Sequence, residues 1–236
     1  MSLLTVVQRF CELQNLNSPT TVYGTTDPQI TQIKALLEEE GNDLSKRGNW
    51  NELTFEATHT TVATESQGAI STIASNGFRN IKNETIWDRT RKLPIQVLTD
   101  IEWQAQKGFV STGPNYAARI RGGLLLANPV PTAGNTWAFE YVSKNWILGV
   151  DGTTYKQYFT LDTDNTLLPE ELLTLGLRWR WKKEKGFDYA EDFRTYENQV
   201  NQVLSSNGMK KKISMSGGSQ NASPHIAIQQ GNWSVP

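Results

Sequence analysis

The densest chemistry in this chain lies in eight residues, Arg178-Trp179-Arg180-Trp181-Lys182-Lys183-Glu184-Lys185, which hold five cations, one anion and two tryptophans. Cations beside aromatic rings serve recognition, either of phosphate or of a protein surface in which Trp and Arg are favoured anchors. Neither is a reaction, and other reactive side chains are few. The two histidines are His59, in an expected strand, and His225, near the C-terminus; neither sits in a motif that supports a nucleophile. Cys11 is the one cysteine, so an intramolecular disulfide is excluded and the residue reads as a small core side chain in a reducing compartment. This Cys and His count leaves no ordinary zinc site. Asp162-Thr163-Asp164-Asn165 begins like a calcium loop, but the sixth position is not glycine and Leu173 stands where a bidentate acid belongs. It reads as a loop leading into a helix. Gly122-Gly123 reads as a turn and not as a phosphate cradle. The 24 acids offer many pairs for carboxylate chemistry, and nothing selects one. No catalytic residue, cofactor or metal site is expected.

The acidic counterpart of the basic run is Glu38-Glu39-Glu40. With 23 Lys and Arg against 24 Asp and Glu, the chain has no overall charge to drive it onto DNA or a membrane, so any binding must come from such local clusters. In a ring, an acidic patch on one subunit meets a basic patch on the next. The expected interface residues are therefore Glu38, Glu39, Glu40, Arg178, Arg180, Trp181, Lys182 and Lys183. Trp179 continues the apolar stripe of Leu168, Leu172 and Leu175. Trp181 stands about 200° further round the helix and is expected off the buried face.

The elements that must position these residues divide the chain. Leu3 to Leu13 patterns as an amphipathic helix. Asp27-Pro28 gives a cap and a first-turn proline for a second helix, carrying Ile30, Ile33, Leu37 and Leu44 as far as Arg47-Gly48. Residues 50–164 read as short strands bounded by Gly, Asn and Pro: Leu53 to Val62, Ile81 to Trp87, Tyr116 to Arg121, Gly123 to Ala127 and Trp137 to Trp146. Thr99-Asp100-Ile101-Glu102 is a capping box for one helix among them. Pro169-Glu170-Glu171 opens a helix that Gly186 ends, and Asp188 with Glu191 starts the next, whose stripe is Tyr189, Phe193, Tyr196, Val200 and Val203. Residues 207–236 are rich in Lys, Ser, Gly, Gln and Asn and form an extended arm. The expected fold is α+β: a helical bundle from 1–49 and 165–206, with an inserted antiparallel β-rich region at 50–164. Leu3 to Val7 is too short for a signal peptide, and no run approaches a membrane span.

The succession Arg47-Gly48-Asn49-Trp50-Asn51-Glu52, then Thr-rich strands, then Ile86-Trp87-Asp88-Arg89-Thr90, then the basic helix and Lys185-Gly186-Phe187-Asp188-Tyr189-Ala190, resembles tailed-bacteriophage head-to-tail connector (adaptor) proteins of the tail tubular protein A type. The likeness covers residues 26–206 and departs where an extra residue separates Gly48 from Trp50. What it implies is a non-enzymatic virion protein made in the host cytoplasm: a twelve-subunit ring at the head–tail junction, bound to portal and tail proteins, through which double-stranded DNA passes. The arm would then dock on a neighbour through Ile226, Ile228 and Trp233. Two other classes stay open beside it, another virion ring component (tail terminator or tail hub) and a carboxylate-based enzyme that degrades cell-wall polymer. A DNA-binding module is a weaker third.

Overall fold

The computed structural model describes residues 1–82, 85–108 and 115–207. It is an α+β protein. Among the described residues six α-helices, α1 (Leu3–Leu13), α2 (Pro28–Arg47), α3 (Ile70–Ile73), α4 (Asp100–Gly108), α5 (Glu170–Glu184) and α6 (Ala190–Asn207), accompany twelve strands. These are β1 (Thr54–Thr60), β2 (Ser66–Ala69), β3 (Phe78–Ile81), β4 (Trp87–Asp88), β5 (Leu93–Pro94), β6 (Gln96–Val97), β7 (Ala117–Arg121), β8 (Leu124–Asn128), β9 (Thr136–Ser143), β10 (Ile147–Leu148), β11 (Tyr155–Lys156) and β12 (Asn165–Thr166).

Local chemistry sets most of the boundaries. Ser2 Oγ accepts the Thr5 amide to start α1, and Asp27 accepts the Gln29 amide at 2.8 Å ahead of Pro28. At α4 the Glu102 carboxylate takes the Thr99 amide at 2.8 Å while Thr99 Oγ1 takes the Glu102 amide at 3.5 Å, the reciprocal capping box. Gly122 and Gly123 turn β7 into β8 with φ of 59° and 75°, values that favour glycine.

β9 joins the two cores. It pairs with β1, β3 and β4, all antiparallel. Its alternation sends Trp137, Phe139 and Tyr141 into one core with Ala57, Ile86 and Leu125. Val142, with Trp146 and Ile147 just beyond, enters the other core, which holds the buried stripes of α1, α2, α5 and α6. A second sheet runs β2-β8-β7-β6 and a third β11-β10-β12.

Two expectations are corrected. The β region is not wholly antiparallel: β6 and β7 are parallel, because the connection between them carries α4 and so crosses over as a hairpin cannot. The expected strand from Ile81 to Trp87 is two short pieces, β3 and β4, each pairing with its own stretch of β9.

Within the helical core α5 packs against α1, α2 and α6. Glycine allows two of the closest approaches. The indole of Trp146 lies on Gly41 of α2, and its Nε1 donates to Asn42 Oδ1 at 3.1 Å. Gly176 of α5 faces Glu40 of α2.

Candidate functional site

Glu40 is fully buried between α2, α5 and α6. One carboxylate oxygen accepts the Tyr196 hydroxyl; the other accepts Arg180 Nε at 2.7 Å. The remaining guanidinium nitrogens of Arg180 donate to Glu39 and Asp43, and its plane lies 4.7 Å from the Trp179 ring centre. Arg47 pairs with Glu197 and lies 5.1 Å from the Tyr196 ring. Burial pushes the Glu40 carboxyl above the ordinary carboxylate range, against the hydrogen bonds from Tyr196 and Arg180. Burial likewise lifts the Tyr196 phenol, and the Glu40 charge adds to the rise. Burial pulls the Arg180 guanidinium down, but its pairing with Glu40 and Asp43 outweighs that and holds it charged. The cluster ties three helices together through side chains of one chain. It is a clamp.

The expected interface residues divide accordingly. Glu40, Arg180 and Trp181 are buried and are corrected as surface residues. The physical reason is that α5 is covered on more than one side. Trp179 meets Tyr189, Phe193 and Tyr196 of α6, while Trp181, about 200° round the helix, packs edge-on against Phe10 of α1 at 5.9 Å. Glu39 is exposed and turned to Arg180. Glu38 is half-buried and accepts the Phe159 amide at 3.2 Å. Lys182 and Arg178 both pair with Asp192 on α6. Lys183 is exposed. Ile226, Ile228 and Trp233 lie outside the described residues.

Tyr196, Asp43, Arg47 and Gly176 belong to the cluster without having been expected there. A signal for it was present in the spacing. Ile33, Leu37, Glu40 and Leu44 follow steps of four, three and four, so Glu40 stands on the apolar stripe of α2 and needs a buried cation. Leu173, Gly176 and Arg180 stand on a stripe of α5 with the same spacing.

Two surface features flank this clamp. At the α5–α6 turn Phe187 is 64% exposed, and Tyr189 and Phe193 are partly so. Between α1 and the start of α5 lies an open groove of about 360 Å³ lined by Arg9, Leu13, Glu170, Glu171, Thr174 and Leu175.

Asp164 forms a second polar centre and is fully buried. It accepts the Thr160 and Leu161 amides at 2.8 and 3.0 Å and Lys156 Nζ at 2.9 Å. Burial raises its pKa, but these donors prevail and hold it below the ordinary carboxylate range. Its neighbour Asp162 accepts the Val22 and Tyr23 amides, tying the loop before α2 to the loop before α5. This is a structural knot in the place where the sequence begins like a calcium loop. Among the described residues no group of three or more His, Cys, Asp and Glu is placed to hold a metal ion, and no helix is long and apolar enough to cross a membrane.

No protein-family profile matches this chain, and no curated protein matches it.

Proposed function

We propose that this chain is a structural virion protein, the subunit of a head-to-tail adaptor ring that joins the portal to the tail and lines the passage for DNA. In this reading α1, α2, α5 and α6 are the bundle that gives the ring a stiff wall, the strands between them are a second contact surface, and residues 208–236 are the arm that reaches a neighbour.

The observation that carries the proposal is where the residues of the resemblance fall. Trp50 is buried at the passage from α2 to β1 and donates its indole N–H to the Leu44 carbonyl at 2.8 Å. Asp88 is buried in β4 and accepts the Arg91 amide at 2.9 Å, Asn135 Nδ2 at 3.2 Å and the Trp137 indole at 3.3 Å. Arg89 pairs with Glu56 across the sheet. Lys185 to Tyr189 form the turn between α5 and α6, and Ala190 opens α6. Each motif is a joint at which one element hands over to another, so the likeness bears on architecture and not on isolated surface residues.

The charge arrangement favours passage over grip. Arg178, Arg180 and Lys182 are neutralised within the chain, which leaves Lys183 and Lys185 as the exposed cations of the basic run for phosphate. A wall that held DNA tightly would obstruct its movement.

The test is native mass of the purified chain alone and after mixing with portal rings of the same phage. The expected result is a closed ring of copies seated on the portal. A chain that stays off the portal under all conditions contradicts the proposal.

A further inference from the structure

We propose that copies of this chain join head to tail by seating the α5–α6 turn of one protomer, led by Phe187, in the groove between α1 and the start of α5 of its partner.

The turn is built to present a rigid knob. Gly186 has φ of 75°, its amide donates to the Lys183 carbonyl at 3.1 Å, and the Phe187 amide donates to the Lys182 carbonyl at 2.9 Å. Asp188 then caps α6 through the Ala190 amide at 3.1 Å. With the backbone committed, Phe187 has no inward direction and is 64% exposed. On α6 Phe193 stacks edge-on against Trp179 at 5.1 Å, which fixes that aromatic side chain before any partner arrives. Lys183 and Lys185 are exposed at the same end of α5; the Lys185 ammonium donates to Gln32 Oε1 at 2.9 Å and lies 4.4 Å from the Trp181 ring centre.

The groove has the opposite character. Leu13 is 51% exposed and forms an apolar wall with the half-buried Leu175. Arg9 stands at the edge, where a guanidinium can lie over an inserted ring. Glu170 and Glu171 supply negative charge for Lys183 at the turn. An exposed aromatic tip next to a basic helix end and an apolar groove lined also by two carboxylates are complementary in apolar character and charge.

One chain cannot satisfy its own groove. The two features stand at opposite ends of α5, whose 15 residues separate them by about 20 Å. The contact must therefore run between copies, and it uses two different surfaces. Such a heterologous contact closes into a ring or continues as a filament.

The contact rests on the ring reading, and the experiment separates the two. Cysteines are placed near the two contact residues of the full chain (Thr174→Cys with Glu184→Cys), so that Leu13 and Phe187 stay in place, and oxidised at high protein concentration, with Cys11 out of reach in the core. The expected product is a ladder of dimers, trimers and higher species, with nothing beyond a dimer from either single variant. A double variant that yields no more than the single variants overturns the proposal. Because Phe187 is exposed, Phe187→Asp leaves the fold intact and is expected to weaken self-association about tenfold or more. Unchanged association of that variant also overturns the proposal. Assembly on portal rings without the ladder overturns this contact and leaves the ring standing. A ladder from a chain that never joins portal rings keeps the contact and overturns the ring. If Thr174→Cys becomes accessible to a thiol reagent only on removal of residues 208–236, the groove belongs to that segment and the proposal fails.

Discussion

The bare Cα of Gly176 on α5 lies against the carboxyl end of Glu40 on α2, so close that a Cβ would overlap the Glu40 Cγ and Cδ. Through this approach a buried carboxylate reaches both Arg180 and Tyr196, and three helices are held in one register.

Gly176→Ala tests that relationship. Alanine favours a helix over glycine by about 1 kcal/mol, whereas overpacking a filled core costs about 1–3 kcal/mol. Glu40 is pinned on both oxygens and cannot retreat without breaking a bond. The expected outcome is a net loss of stability, read as a lower urea midpoint with unchanged slope.

Breaking the clamp on one side is expected to be worse than removing it. Arg180→Met leaves Glu40 buried beside Tyr196 without its cation, at a cost of about 3–5 kcal/mol. Arg180→Met combined with Glu40→Met removes the orphaned charge and should recover most of that loss. Chemical unfolding of the two variants beside the parent measures the difference.

Asp164 gives the fold an acid limb. Its folded pKa is depressed, so its contribution is fully present above the unfolded value of about 3.9 and is lost as pH falls through the lower folded value. Asp164→Asn keeps the shape and one oxygen to accept the Thr160 and Leu161 amides but gives up the ion pair with Lys156, with an expected loss of about 1.5–3 kcal/mol at neutral pH. The variant should also show a flatter decline below pH 4 than the parent. Unfolding midpoints across that range check both.

The basic run should contribute little to DNA affinity. Lys183 and Lys185 are its exposed cations, so the run adds at most two phosphate contacts, a share of about −2 in the logarithmic salt slope. Charge removal at Arg180 should change stability and leave that slope alone. A steep slope abolished by Arg178→Ala and Arg180→Ala would instead favour a DNA-binding role.

Features written in neighbouring residues were legible in the sequence. Asp27 caps its helix, Thr99 and Glu102 form the box, and Gly122-Gly123 makes the hairpin turn, because each depends on residues within four positions. The parallel pairing of β6 with β7 depends on a crossover and leaves no local mark. Trp181 was misplaced for a related reason. Periodicity finds one buried face, and α5 has neighbours on several. The hydrogen bonds of the clamp join residues 137 or more positions apart, and Glu40 reads as one acid in a run until its place on the Ile33–Leu37–Leu44 stripe is weighed. Phe193 shows the reverse error, since it keeps the spacing of a core stripe yet lies at the open end of the hairpin, 37% exposed.

The central claim is that this chain works by fitting against copies of itself and adjoining virion parts. Its most direct test is quantitative mass spectrometry of purified particles, with antibody labelling to locate the chain. The account predicts a fixed number of copies per particle, confined to the junction of head and tail. Particles that lack the chain, or carry it scattered over the capsid, would contradict it.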